Sequence, residues 1–142
     1  MTNLLPGVNS AASALHAEKI RMEVIAQNIA NANVTKTSDG TPFERQVVKF
    51  EAILSKKLGA DAPAVPELVK AAQIMGDGRP PKLMYQPGHP DANEAGMVAY
   101  PNVDIHAEMA DMIAASRTYE ANLAVIKNAR TMTLQTLALG RR

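Results

Sequence analysis

From Asn102 to Leu139 the chain reads NVDIHAEMADMIAASRTYEANLAVIKNARTMTLQTLAL, with neither proline nor glycine. Nothing in that stretch breaks a helix. Ile105, Met109, Met112, Ser116, Tyr119, Leu123, Ile126, Arg130, Thr133 and Leu137 recur at alternating steps of four and three, which predicts an a/d heptad seam. A stripe this narrow suits a helix lying against another helix, not one buried all round. Pro101 precedes the helix, and Asn102 or Asp104 can cap its first turn. Asp104, Glu108 and Asp111 lie near its start, and Lys127, Arg130, Arg141 and Arg142 near its end, each set matching the helix dipole. Gly140 supplies the stop.

A second helical pattern runs from about Val8 to Ala32. Val8, Leu15, Met22 and Ile29 recur every seven residues, with Ala11, Ala12, Ile25, Ala26 and Ala32 between them and Glu18 and Lys19 interrupting that second row. Its alanines permit close approach of a neighbouring backbone. Pro6-Gly7 before it reads as a turn. Asn28, Asn31 and Asn33 crowd its exit, where asparagine tolerates the left-handed conformation that ends helices.

Between the helices the pattern changes. Asp39-Gly40 marks a turn, and Phe43 to Phe50 reads as a strand. Ser55 to Pro66 reads as a mobile connection. Glu67 to Met75 fits a strand or a short helix equally. Lys82 to Tyr85 and Met97 to Tyr100 read as short extended pieces flanking the turn-rich loop QPGHPDANEAG. The expected fold is therefore mainly α with a small β-containing insert. Residues 1–34 form the N-terminal helix, 35–101 the insert and 102–142 the C-terminal helix. The two helices pair as an antiparallel coiled coil, since each presents a seam needing a partner. One helix pair buries little area for its length, so part of each apolar stripe is expected to await further copies. Head-to-tail contacts of that kind propagate into rings or tubes.

Composition narrows the function. The chain has 142 residues, enough for one modest core, and a net charge of +1 that offers no electrostatic reason for a nucleic-acid or anionic-membrane partner. With no cysteine, thiol catalysis, disulfides and Cys-ligated metal are excluded. No basic, apolar leader and no apolar run of membrane-spanning length is visible. Asp104, His106 and Glu108 alternate, but on a helix they point three ways, so no metal site is expected. No nucleophile motif accompanies any histidine, and Gly76-Asp77-Gly78 is too short for a phosphate loop. No enzyme activity, cofactor or small-molecule substrate is expected.

Three stretches carry a resemblance: SALHAEKIRMEVIAQNIANANV from Ser13, LMYQPGHPDANEAGMVAYPNVD from Leu83, and Glu108 to Gly140 with EMADMIAASRTYEAN and the closing LALG. Together they resemble the rod and hook family of bacterial flagellar axial proteins, and its short proximal-rod type in particular. The resemblance implies a structural subunit of the torque-transmitting rod that spans the periplasm. It implies export by the flagellar type III apparatus without a cleaved signal peptide. The implied partners are copies of the chain, other rod proteins, the adaptor joining rod to inner-membrane ring, and the export apparatus. It also implies a subunit interface. On the first helix and its exit this takes in Leu15, Met22, Ile25, Asn28, Ile29, Ala30, Asn31 and Asn33. Before and along the second it takes in Pro101, Asn102, Val103, Asp104, Met109, Met112, Arg117, Tyr119, Asn122, Leu123, Ile126 and Leu137. Arg117 can fork onto a carboxylate, and Asn122 can bond across helices. The alternative from another class is a small cytoplasmic adaptor or regulator dimerising through its C-terminal helix, which would stay in the cytoplasm on cell fractionation.

Overall fold

The computed structural model describes residues 6–54 and 66–140. Helix α1 spans Pro6–Ala30, followed by strands β1 (Gln46–Leu54), β2 (Pro66–Gly76), β3 (Lys82–Tyr85) and β4 (Met97–Tyr100), and then helix α2, Ile105–Leu139. The chain is mainly helical, with two long terminal helices in close contact and a small β insert between them. They run antiparallel: Asn28 near the end of α1 meets Glu108 near the start of α2, and Val8 lies beside Ile126 and Arg130. The ambiguous Glu67–Met75 stretch is a strand because β1 pairs with it, antiparallel, from Gln46↔Gly76 to Leu54↔Pro66. β3 pairs with β4 in a separate antiparallel ladder. The expected mobile connection lies mostly outside the described residues.

Local signals explain the ends of the helices, with three corrections. Asp104 caps α2, its Oδ1 accepting from the amides of His106 (3.0 Å) and Ala107 (3.5 Å). Pro6-Gly7 is not a separate turn but opens α1, where a proline's missing N–H costs nothing. No described non-glycine residue has positive φ, so the asparagines do not end α1 in the left-handed region. It ends instead with a regular helical bond from the Asn31 amide to Gln27 (3.0 Å), followed by a tighter three-residue bond from the Ala32 amide to Ile29 (3.3 Å). Gly140 bonds back to Thr136 (3.1 Å) with φ −75°, in the right-handed region.

The seam of α2 is rotated from its expected position. Glu108, Met112, Ala115, Tyr119, Asn122, Ile126, Ala129 and Thr133 are buried or half-buried. The row Met112, Tyr119, Ile126 and Thr133 belongs to the predicted seam. The companion row is shifted by one residue: Glu108, Ala115, Asn122 and Ala129 turn inward, while Met109, Leu123, Arg130 and Leu137 stay exposed and Ser116 half-buried. On α1, likewise, the inward residues include Ala11, Ala17, Val24, Ile25 and Asn28, and the expected Val8, Leu15, Met22, Ile29 row sits half-buried at the flank. The inward faces carry small side chains, Ala11 and Ala17 on α1 and Ala115 on α2, as close packing of long helices requires. The resulting core is thin: Glu108, Val98 and Asn28 are the largest fully buried side chains among the described residues.

Candidate functional site

The tightest chemistry lies where both helices meet the insert. Asn28 and Glu108 are each 1 % exposed. The Asn28 amide behaves like one more strand residue, its Oδ1 accepting from the Gln46 amide (2.9 Å) and its Nδ2 donating to the Gln46 carbonyl (2.8 Å). Nδ2 also donates to Glu108 Oε2 (3.1 Å). The other carboxylate oxygen, Oε1, accepts from Arg45 Nε (2.7 Å), with Arg45 Nη2 at 2.6 Å. Arg45 then reaches Asp77 Oδ2 through Nη1 (3.2 Å), and Arg79 Nε donates to the same oxygen (2.5 Å). One connected network thus joins the end of α1, the entry to β1, the exit of β2 and the start of α2.

Electrostatics follow the geometry. Burial works against the Arg45 charge, but the hydrogen bond and attraction of Glu108, then those of Asp77, hold the guanidinium above its usual range. The hydrogen bond from Arg79, opposed by burial and reinforced by Arg45, holds the Asp77 carboxyl below the ordinary carboxylate range. Every charged member of this joint has a partner within it. Arg45, Asp77 and Arg79 are not visible in the sequence as a site, because their partners lie far along the chain. Glu108 shows there only as an acid near a helix start.

The QPGHPDANEAG loop is braced from within and docked. Asn93 Oδ1 accepts from the amides of Ala95 (3.0 Å) and Met97 (2.9 Å), and Tyr100 donates to Gln86 Oε1 (2.9 Å). Gly96 has φ +73°, and a Cβ there would stand 2.9 Å from Tyr85, so only glycine fits. Thr35 Oγ1, just past α1, donates to Asp91 Oδ2 (2.7 Å) and ties the loop to the helix exit.

The expected interface residues divide into two sets. Ile25, Asn28, Pro101 and Val103 are buried inside this copy, and Leu15, Met22, Ile29, Asn31, Asn102, Met112, Tyr119, Asn122 and Ile126 are half-buried. Ala30, Asn33, Asp104, Met109, Arg117, Leu123 and Leu137 are exposed. Along α2 the exposed row is largely apolar, interrupted by Arg130: Met109 is 52 % exposed and Leu137 61 %, with Ile113 and Leu134 also exposed. Among the described residues no group of three or more acids or histidines could hold a metal ion. No helix of the described residues is long and apolar enough to cross a membrane.

Two long paired terminal helices around a small β insert, tied together by a buried polar network and with apolar side chains of α2 left exposed, fit a structural subunit of the axial type. The family described as flagella basal body rod protein matches residues 9–36, and that described as flagellar basal body rod FlgEFG protein C-terminal matches residues 94–139. The chain is 37 % identical to the flagellar basal-body rod protein FlgC of Borreliella burgdorferi, covering 96 % of this chain and 97 % of that one. It is 38 % identical to FlgC of Yersinia enterocolitica (97 % and 98 % covered) and 33 % identical to FlgC of Bacillus subtilis (94 % and 96 %). The chain belongs to the FlgC family of flagellar basal-body rod proteins. Its role is structural, not catalytic.

Proposed function

We propose that the chain builds the proximal part of the flagellar rod and carries torque through it. Residues 1–34 and 102–142 form the core of each subunit, and residues 35–101 lie outside and set lateral contacts. The observation that carries this reading is the exposed apolar row of α2, from Met109 through Leu123 to Leu137. A lone helix pair has no use for it, and a second helix would cover it. On this reading the inter-subunit contacts include Leu15, Met22, Ile29, Ala30, Asn31 and Asn33 at the flank and exit of α1. On and before α2 they include Asn102, Asp104, Met109, Arg117, Leu123 and Leu137. The buried or seam-facing Ile25, Asn28, Pro101, Val103, Met112, Tyr119, Asn122 and Ile126 shape those surfaces from beneath. The partners are copies of the chain, other rod proteins, the adaptor between rod and inner-membrane ring, and the type III apparatus that exports the chain without a cleaved signal. The polar joint at Glu108 supports the load-bearing role, since it locks the insert to the helix pair.

The test is fractionation and deletion. The chain is expected to purify with detergent-resistant basal bodies, and its deletion to abolish rod completion and motility. A chain found only in the soluble cytoplasm, with motility intact in its absence, would overturn the reading.

A further inference from the structure

The two sheets leave edges that fit one another. In the β3–β4 ladder the amide of Gln86 donates to the carbonyl of Gly96 (2.9 Å), directly beyond the Tyr85↔Met97 pair. Alternation of the antiparallel ladder then turns the backbone groups of Leu83 and Tyr85 away from β4. In the β1–β2 ladder the amide of Asp77 donates to the carbonyl of Arg45 (2.8 Å), directly before the Gln46↔Gly76 pair. The same alternation turns Gln46, Val48 and Phe50 away from β2. The irregularity between Lys49 and Phe50 adds its extra residue to β2, so the phase of β1 continues through it. Gln46 is satisfied by Asn28. Val48 and Phe50 line a cleft of about 330 Å³ whose other wall is formed by Arg21, Val24 and Ile25 of α1 and by the start of α2. All four residues of β3 are exposed, Tyr85 at 70 %. A bare apolar edge of this kind is a template for another strand.

We propose that β3 of one copy adds antiparallel to β1 of a second copy, with Leu83 opposite Phe50, Tyr85 opposite Val48 and Lys82 opposite Glu51. In this register the outward backbone groups of both strands meet as hydrogen-bonded pairs. One face carries two apolar pairs, and the other carries an opposite-charge pair. The rival pairings are poorer. β1 against β1 centred on Lys49 sets two lysines opposite each other, and β3 against β3 closes as a dimer without a charge pair. The β3–β1 contact uses different surfaces on the two copies and so propagates, as a self-assembling subunit requires. The inference rests on the reading that the chain assembles with its own copies.

Because the chain has no cysteine, engineered ones report cleanly. Met84 and Lys49 form the non-hydrogen-bonded pair between Leu83/Phe50 and Tyr85/Val48, where side chains come closest. Both are exposed. Cells making Met84→Cys and Lys49→Cys together, in place of the natural chain, are expected to yield a disulfide-linked dimer in oxidised basal bodies, and neither variant alone should do so. Dimer from Met84→Cys alone, or none from the pair with both variants present in basal bodies, overturns the proposal. Charge reversal reads the same contact without a cross-link. Lys82→Glu is expected to lower incorporation about two- to fivefold, the range of one cross-strand charge pair, and Glu51→Lys in the same chain to restore it. Failure to restore it, in protein with native far-UV circular dichroism, overturns the proposal. Loss of the natural chain itself from basal bodies would instead strike the rod reading.

Discussion

At the scale of single residues, Glu108 is the most consequential position. Its carboxylate is buried, and Arg45 beside it is mostly covered, with 18 % of its side chain exposed. Truncation leaves the mostly covered Arg45 guanidinium with Asp77 alone and removes an acceptor of Asn28. Glu108→Ala is therefore expected to cost about 3–5 kcal/mol in urea unfolding, the range for breaking a buried ion pair from one side. Glu108→Gln keeps an acceptor for Asn28 and should cost clearly less. Asn28→Asp turns the donor toward Glu108 into a second carboxylate and leaves the Gln46 carbonyl facing negative charge. It should destabilise more than Asn28→Ala, whose lost hydrogen bonds place it at about 1–3 kcal/mol. Asp77 gives the joint a pH response. Its carboxyl is held below the ordinary value, so its contribution is fully present above about pH 4 and is lost as pH falls through the lowered native value. The urea midpoint should show no contribution from Asp77 titration between pH 5 and 7. Asp77→Asn should remove part of the drop seen below pH 4.

At the scale of elements, the proposed interface makes the two rows of α2 separable by experiment, one in folding and the other in assembly. Ile126 is half-buried against α1, whereas Met109 and Leu123 are exposed. Ile126→Ala should lower monomer stability by about 1–3 kcal/mol, less than a fully buried site because the residue keeps some solvent contact. Met109→Gln with Leu123→Gln should leave it within about 0.5 kcal/mol yet sharply reduce incorporation into basal bodies. Circular dichroism melts alongside basal-body immunoblots check both. The sequence makes the helices, their polarity and the heptad period legible, because periodicity and breakers are local properties. It also makes β3 and β4 legible, each bounded by turn residues. It leaves the rotation of the seam illegible, because Met109 and Leu123 look more like core than Ala115 and Asn122 do. Packing against α1 and the insert selects the smaller row, and no local pattern along the chain encodes that packing. The joint was hidden for the same reason. Arg45 meets Glu108 and Asp77 only after three elements fold together, and no spacing along the chain encodes that.

At the scale of the whole molecule, burial is uneven in a way that predicts dynamics. The fully buried residues of α2 are Glu108 and Ala115, both in its first half, although the helix runs 35 residues to Leu139. Beyond Ala115 the helix pair is held by half-buried contacts and by an apolar groove of about 300 Å³ between Val8 and the Ile126–Leu134 turns. Most of a helix's stability in a protein comes from the packing of its apolar face, which thins out along this half of α2. Local opening should therefore be graded along one helix, lowest in free energy toward the C-terminus and highest at the joint. Hydrogen exchange on the monomer should show slow amides around Glu108 to Ala115 and fast ones around Met132 to Leu139. In isolated basal bodies the second group should become slow, because a neighbouring helix then covers Leu134 and Leu137. Uniform protection along α2 in a verified monomer would mean that the helix is already complete alone, and the exposed row would lose its claim to be an assembly surface.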